Sequence, residues 1–547
     1  MTEVTLVHFA RAAADIAAHG DNDTLPFDID TRFVSEKQSE LARHAYSLFE
    51  QLQRDSEPNS TSKIEALNVF NERLLAPTGP SGFRIVTKIH PFWTIYFNGL
   101  GVAIAESLEP KRDPQAYSYR FICDEGAELF DRTSSWKLFR EITSRDAASE
   151  DYGKIVVQTD ISGFYENISH HHIENFIDDL FPENGRIGNQ INALLGKFSA
   201  GRSFGLPVGG QCSRILAELF LSLIDRRMTA QGIRWYRYVD DYVLISNSNE
   251  NAYAALSFLS HSLADYGVSL NKSKTIFLTS KHYVDYVSSQ LGTEDNDAGR
   301  LREIDLHFDP YSDRPDEDYD SIRRTIESLE VQKLLNRELE KSLPDTFLVT
   351  QIGRTLQFQE PSIAIQLINT LLSQGNLHTF RASWPTIMRG VAKLRSIDQF
   401  HEIFSQIDFL LDLVPEHSSH LLQAEASVLH FLRTLRFSQS DKRSAFVLRI
   451  YTATKSDTVK RACIDCWRHW KDRGAFTHVR ARWNELSAEC QRLVWLSAYS
   501  FGDQGNGFRR QIAATLNNSW RTGTERQGSA TFASIYQGWC DENNANV

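Results

Sequence analysis

Two adjacent aspartates set between apolar runs constrain this chain more than any other feature. They lie in Arg237-Tyr238-Val239-Asp240-Asp241-Tyr242. Ile233 to Tyr236 precede them and Tyr242 to Ile245 follow, and both flanks are β-branched and aromatic. The pattern predicts a β-hairpin with two carboxylates at its tip. Adjacent carboxylates repel each other, and a hard divalent cation such as Mg²⁺ turns that repulsion into attraction. A solvated Asp-Asp turn uses the same residues without chemistry. The metal reading therefore requires another acid from elsewhere in the chain.

Asp160 meets that requirement. It ends the short apolar run Lys154 to Asp160, which reads as a strand. An acid at a strand end and two at a hairpin tip can converge on one pair of ions. Two Mg²⁺ ions about 3.5–4 Å apart clamp the attacking and leaving oxygens of an in-line phosphoryl transfer.

The surrounding pattern predicts an α/β layer with an antiparallel centre. Phe83 to Ile89 alternates as a strand, and Pro91 to Leu108 reads as a buried helix. Tyr117 to Phe121 reads as a short strand and Trp136 to Ile142 as a helix. Ser169 is expected to cap a helix from His170 to Leu180, followed by a turn-rich gap. A helix is expected from about Gln211 to Met228, and another from about Asn251 to Tyr266. Gly267 to Thr275 then supplies the last strand. Residues 292–320 are acidic and turn-rich and mark a boundary. Beyond it the periodicity is helical, with runs at Ile322 to Leu343, Ile363 to Leu372, Ser418 to Leu435 and Thr458 to Trp470. Serial helices with short links predict a solenoid of helical pairs. The expected division is thus 1–291, a linker at 292–320, and an all-α helical-repeat region at 321–547.

Composition narrows the partners. A formal net charge of −11 excludes a nucleic-acid coat protein but leaves room for a local basic channel. Six cysteines in 547 residues are too few for a disulfide framework, which predicts a reducing compartment. The first twenty residues lack the basic start and long apolar core of a signal peptide, and no apolar run predicts a membrane span. His170-His171-His172 point in different directions on a helix and are expected on a solvated face. Cys463 and Cys466 have zinc-like spacing without a second pair, so core packing is expected. Trp467, Trp470 and Trp483, with nearby arginines, read as core before they read as a single-strand platform.

Four stretches in order resemble the palm motifs of reverse transcriptases. Asp160-Ile161-Ser162-Gly163-Phe164-Tyr165 resembles the first. Gly205-Leu206-Pro207-Val208-Gly209-Gly210 with Ser213 resembles the second. Tyr238-Val239-Asp240-Asp241 resembles the third, and Gly267 to Thr275 with Lys274 the fourth. The resemblance covers about residues 80–290. It implies a fingers-palm, or right-hand polymerase palm, followed here by a HEAT-like solenoid. It implies RNA-directed DNA polymerisation from dNTPs with two Mg²⁺ ions, or Mn²⁺ in their place.

Residue by residue, the resemblance assigns catalysis to Asp160, Asp240, Asp241 and Lys274. Metal binding falls to Asp160, Asp240, Asp241 and the carbonyl of Ile161. Substrate contacts fall to Tyr165, Arg120, Gly205, Pro207, Val208, Gly209 and Tyr238. Tyr165 stands where the family has an aromatic gate against a ribose 2′-hydroxyl, Arg120 is a candidate for the triphosphate, and Lys274 for protonating pyrophosphate. The family more often has Gln where Val208 stands.

That departure, Tyr117 to Phe121, the run Ser213 to Leu219 and the helical second half resemble the bacterial abortive-infection and antiviral-defence subset. The subset implies a bacterial cytoplasm, a homo-oligomer, no membrane, and an RNA template or noncoding RNA. Two alternatives stay open. One is template-independent synthesis primed by a protein side chain, with the DNA product covalently attached. The other is an inactive palm serving as an RNA-binding scaffold.

Overall fold

The structure is a computed structural model. It describes residues 3–54, 64, 67–79, 81–124, 128–149, 154–182, 186–291, 297–304, 306, 315–523 and 530–543. Part of the expected linker, at 292–296, 305 and 307–314, lies outside the described residues.

Two sheets shape the first half. Strands β1 (Asn71–Thr78) and β2 (Gly82–Ile89) form an antiparallel hairpin. The central sheet takes β3 (Ile155–Asp160), β4 (Trp235–Tyr238), β5 (Asp241–Ser246) and β6 (Ile276–Thr279) in the order β4-β5-β3-β6, all antiparallel. Val156, Val157, Val243 and Leu244 are buried at its centre, so the sheet is fixed by apolar packing on both faces. The helix Pro91–Leu108 is apolar all round and buried along nearly its whole length, as expected of a core helix rather than a surface one. It packs against Leu6–His19 and Gln211–Ala230.

Several expectations are corrected. Tyr117 to Phe121 is not a strand: Tyr119 has φ +47°, and only isolated bridges form, Ala116 to Arg237 and Phe121 to Phe130. The segment is drawn inward because the Ser118 hydroxyl donates to buried Glu218 at 2.5 Å and Arg112 holds the Ser118 carbonyl at 2.7 Å. The gap after residue 180 contains the helix Arg186–Phe198, which buries Ile187, Ile191, Leu194 and Leu195. Its glycines at 188 and 196 read as breakers, but tertiary packing overrides propensity. Ser169 precedes the helix His170–Leu180 without capping it through its side chain and instead bridges to Phe204. The last palm strand, β6, begins after Thr275, so Gly267 to Thr275 is a loop. The expected helix at 322–343 is two, Pro315–Glu327 and Val331–Leu339.

The second half is a stack of helices. Thr346–Thr355, Trp384–Leu394, Glu425–Leu435, Asp457–His469 and Ala488–Ser497 pack one upon the next as an inner row. Pro361–Leu372, Phe404–His417 and Asp441–Ala453 form an outer row. This is the helical-repeat architecture that the periodicity predicted.

The stack folds back onto the N-terminal helices and β1. Glu72 accepts the backbone N–H groups of Asp457 and Thr458 at 3.1 and 2.9 Å, capping the helix they start. Asp30 pairs with Arg461 at 2.7 Å and Arg492 at 3.1 Å. The Phe33 ring meets Phe532, Tyr536 and Trp539. One hydrophobic core therefore runs from Val4 to Cys540 through both halves.

Candidate active site

The β3–β5 register decides where the acids meet. Asp160 and Asp241 are direct partners at the end of the ladder. Asp240 precedes Asp241 in the β4–β5 turn, where Val239 takes φ +54°. A left-handed valine is costly, so something must hold the turn. Arg237 does so. Its guanidinium donates to the Val239 carbonyl at 2.8 Å and is buried against Asp225 at 2.6 Å and Glu218 at 2.8 Å. Tyr242 donates to Asp225 at 2.9 Å from the other side of the turn. Nothing local in the sequence points to that role for Arg237.

The three acids, distant in sequence, therefore adjoin in space. Burial first, then the Asp160 and Asp241 charges, push the Asp240 carboxyl up to about 7. Burial and Asp160 also raise Asp241, against the opposing pull of Arg140 and Lys274. The Lys274 ammonium lies 2.7 Å from Asp160 Oδ2, and Asn271 donates to the same oxygen at 3.3 Å. The Asn271 N–H also donates to the Asp160 carbonyl at 2.7 Å, which ties the fourth-motif loop to the end of β3. Neither Asn271 nor Arg140 stands out in the sequence as a site residue, although Asn271 lies within the fourth motif.

Among the described residues no three His, Cys, Asp or Glu side chains stand in a ready-made ion-holding arrangement. The donors nevertheless fit Mg²⁺: they are carboxylate oxygens, and their mutual repulsion is what a divalent cation relieves. Ile161, beside them, is buried and bridges to Leu270.

The second motif forms a wall beside the acids. The Val208 carbonyl accepts from the Thr87 N–H at 3.1 Å, and the Gly209 carbonyl from the Asp23 N–H at 3.2 Å. Gly209 has φ +114°, and a Cβ there would lie 2.2 Å from Asn22. Gly205 accepts from His170 at 2.8 Å, so His170 is a buried structural histidine rather than part of a solvated face. Pro207 lines a small pocket with Asp21, Thr87 and Ser213, and the Ser213 hydroxyl is buried without a partner.

A cavity of about 380 Å³ opens between this wall and the N-terminal loop. Tyr119, Gly209, Gln211, Arg214 and Tyr238 line it, with Asp15, Asp21, Asp23, Glu128 and Asp131 opposite. Arg214 lies over the Tyr119 ring at 5.1 Å and pairs with Asp23 at 2.5 Å. Tyr165 is close enough to Tyr119, Arg214 and Asp240 to feel all three. Arg120, the expected triphosphate ligand, points elsewhere: it pairs with Glu109 at 2.6 Å and donates to the carbonyls of Asp113 and Ala116. Arg214 is the arginine on the cavity wall. Its signal was its place, one turn into the helix that follows the glycine-rich motif.

Cys463 and Cys466 are both buried, as are Trp467 and Trp483, which pack as core.

Residues 108–291 match the family model described as reverse transcriptase (RNA-dependent DNA polymerase). The chain carries a reverse transcriptase domain. The match begins in the helix Pro91–Leu108 and ends with Ser280–Leu291, enclosing the whole central sheet. No curated protein matches.

Among solved structures, telomerase from Candida tropicalis truncated from its C-terminal domain is 13% identical. It covers 38% of this chain and 49% of its own, with a TM-score of 0.30. This chain thus spans about half the length of that telomerase. Telomerase from Candida albicans, in complex with a fragment of telomeric RNA, is 12% identical over 66% of this chain and 68% of its own, with a TM-score of 0.31. No helix among the described residues is long and apolar enough to cross a membrane.

Proposed function

We propose that this chain synthesises DNA from dNTPs on an RNA template, in a Mg²⁺-dependent reaction, as part of an antiviral defence system. The observation that carries the chemistry is the register pairing of Asp160 with Asp241, with Asp240 beside them in the adjoining turn. The defence role rests on the likeness of the second motif and of the helical half to the abortive-infection subset.

Asp160, Asp240 and Asp241 would hold the divalent ions, with the Ile161 carbonyl beside them. Bound there, the ions would activate the attacking hydroxyl and stabilise the leaving pyrophosphate. The chain's own residues do the rest. Arg237 fixes the turn that carries Asp240. Asn271 and Lys274 hold the Asp160 carboxylate, and Lys274 is exposed enough to turn toward a leaving phosphate and give it a proton. Arg214 reaches into the cavity where the triphosphate would lie. Tyr165, within electrostatic reach of Arg214 and Asp240, would exclude a ribose 2′-hydroxyl. The turn at Gly205 to Gly210 lets backbone approach the base pair.

The test is incorporation of single labelled dNTPs by the purified chain, with and without RNA. Label that depends on RNA supports templated synthesis. Label that stays on protein after nuclease assigns protein priming instead. Phage protection retained by Asp240→Ala with Asp241→Ala would favour the scaffold. Sequencing the nucleic acid that co-purifies names the template, and light scattering of the purified chain reads the expected homo-oligomer.

A further inference from the structure

Three consecutive helices of the inner row each carry an arginine: Arg354 in Thr346–Thr355, Arg389 in Trp384–Leu394 and Arg433 in Glu425–Leu435. Arg436 follows just past the end of the third. Arg354 and Arg389 are exposed and Arg433 is half-buried. Among the described residues neither Arg389 nor Arg433 has a hydrogen-bond or ion-pair partner. Arg354 donates to Gln351 alone. Arg436 makes a 3.4 Å pair with Asp465.

Several other arginines of the helical half are paired with acids. Arg443 pairs with Asp412 at 2.7 Å, and Arg461 and Arg492 share Asp30. Arg354, Arg389, Arg433 and Arg436 differ in kind, because their guanidinium groups neighbour one another. Partial desolvation among the neighbouring helices, then Arg354, lowers the proton affinity of Arg389. Burial, then Arg436 and Arg389, lower that of Arg433 to about 10, although Asp28 and Asp465 pull the other way. Stacked helices lie about 8–10 Å apart, so the row is a series of regularly spaced positive charges. In a chain of net charge −11 such a row suits a ligand with repeated negative charge.

The row also has a direction. His430, one turn before Arg433, bonds the Thr24 carbonyl at 2.9 Å. Thr24 adjoins Asp23, the partner of Arg214 at the cavity beside the catalytic acids. The row therefore meets the N-terminal loop that closes the polymerase groove. Where they meet, Phe27, Lys88, Arg433, Arg436 and Arg461 line a cavity of about 60 Å³, and Nε and Nη2 of buried Arg461 are unpartnered in it. That volume is too small for a nucleotide, so a ligand lies along the row rather than within the cavity. Phe27 is 41% exposed beside it, which offers a ring for stacking.

We infer that Arg354, Arg389, Arg433 and Arg436 form a track for the phosphodiester backbone of a single nucleic-acid strand running to or from the polymerase groove. The inference rests on the polymerase reading for the strand's destination, but the binding it asserts is measured without synthesis.

The experiment is fluorescence anisotropy of the full chain with a labelled strand of about 20 nucleotides, as DNA and as RNA of one sequence, between about 50 and 200 mM salt. Chelator is present and dNTPs are absent. The pair Arg389→Gln with Arg433→Gln is expected to weaken binding at least tenfold. It should flatten the log-log salt slope by about 1.4, the share of two phosphate contacts on a single strand. Arg354→Gln with Arg389→Gln, both exposed, should do the same and guards against a folding defect. Arg389→Lys with Arg433→Lys should keep most of the affinity. Arg449→Gln, an exposed arginine of the outer row, should change nothing. A response in one arm only assigns the strand as DNA or RNA. Unchanged affinity and slope for both Gln pairs in both arms, or an equal loss with Arg449→Gln, would overturn the track. Lost binding with intact incorporation, or the reverse, separates this inference from the polymerase reading.

Discussion

The Arg237 guanidinium donates to the Val239 carbonyl, two residues along the same chain, at 2.8 Å. A buried cation thus holds the turn that presents Asp240, and the strained valine is part of the arrangement. Replacing Arg237 by Met leaves Asp225 buried beside no cation, while Glu218 keeps Arg112 at 2.5 Å and the Ser118 hydroxyl. Breaking a buried pair in this way costs about 3–5 kcal/mol. Urea unfolding should show a loss of that size for Arg237→Met. Arg237→Lys should recover only part of it, because an ammonium cannot span two carboxylates and a carbonyl.

Gly209 tests the second motif. Its φ of +114°, and the 2.2 Å that would separate a Cβ there from Asn22, leave no room for a side chain. Gly209→Ala is expected to destabilise the chain by about 1–3 kcal/mol. It should also raise the KM for dNTP more than it lowers kcat, because the wall moves while the acids stay. Steady-state kinetics beside thermal melting reads both.

Buried histidines make the contact between the halves sensitive to acid. His90 lies 3.8 Å from Glu489, and burial with Arg492 lowers its pKa to about 3. His430 bonds Thr24, and burial lowers it to about 4. Both are bases whose folded pKa is depressed, so the unfolded chain binds protons first as pH falls. Their stabilising contribution is complete above about 6.5 and is lost toward 4 and 3. Each should contribute a slope of up to about 1.4 kcal/mol per pH unit in that window. Urea midpoints at pH 7 and pH 5 should show the fall, and His430→Gln should reduce it by one proton.

Unrelieved repulsion among the acids predicts a response to metal. Asp240 is held at about 7 by burial and its two neighbours. Mg²⁺ at about 100 times its Kd should stabilise the wild-type chain by about 2.7 kcal/mol. Asp240→Asn should lose most of that gain and melt higher than wild type in chelator. Melting curves with and without Mg²⁺ measure the difference.

Much of the site was legible because its chemistry is local. Asp160 at a strand end and Asp240-Asp241 at a hairpin tip follow from apolar runs of the right length, and the ladder then brings them together. The helix Pro91–Leu108 was equally plain from its apolar composition. What was hidden depends on long-range partners. Arg120 reads as a phosphate ligand until Glu109 is seen to hold it, and Arg214 gains its place only when the loop at Asp23 folds over it. The helix Arg186–Phe198 was hidden by its glycines, and the turn at Tyr119 by the pull of Glu218 on Ser118. Nothing local to residues 354, 389 and 433 shows that they share one face; the helical stack supplies that.

The most direct measurement is incorporation of labelled dNTP into acid-precipitable DNA by wild type, Asp160→Asn and Asp240→Asn, on one template in Mg²⁺. The account predicts polymer from wild type and a fall of about 100-fold or more in each variant, with each variant still folded by melting. Incorporation by either variant at the wild-type rate would contradict it.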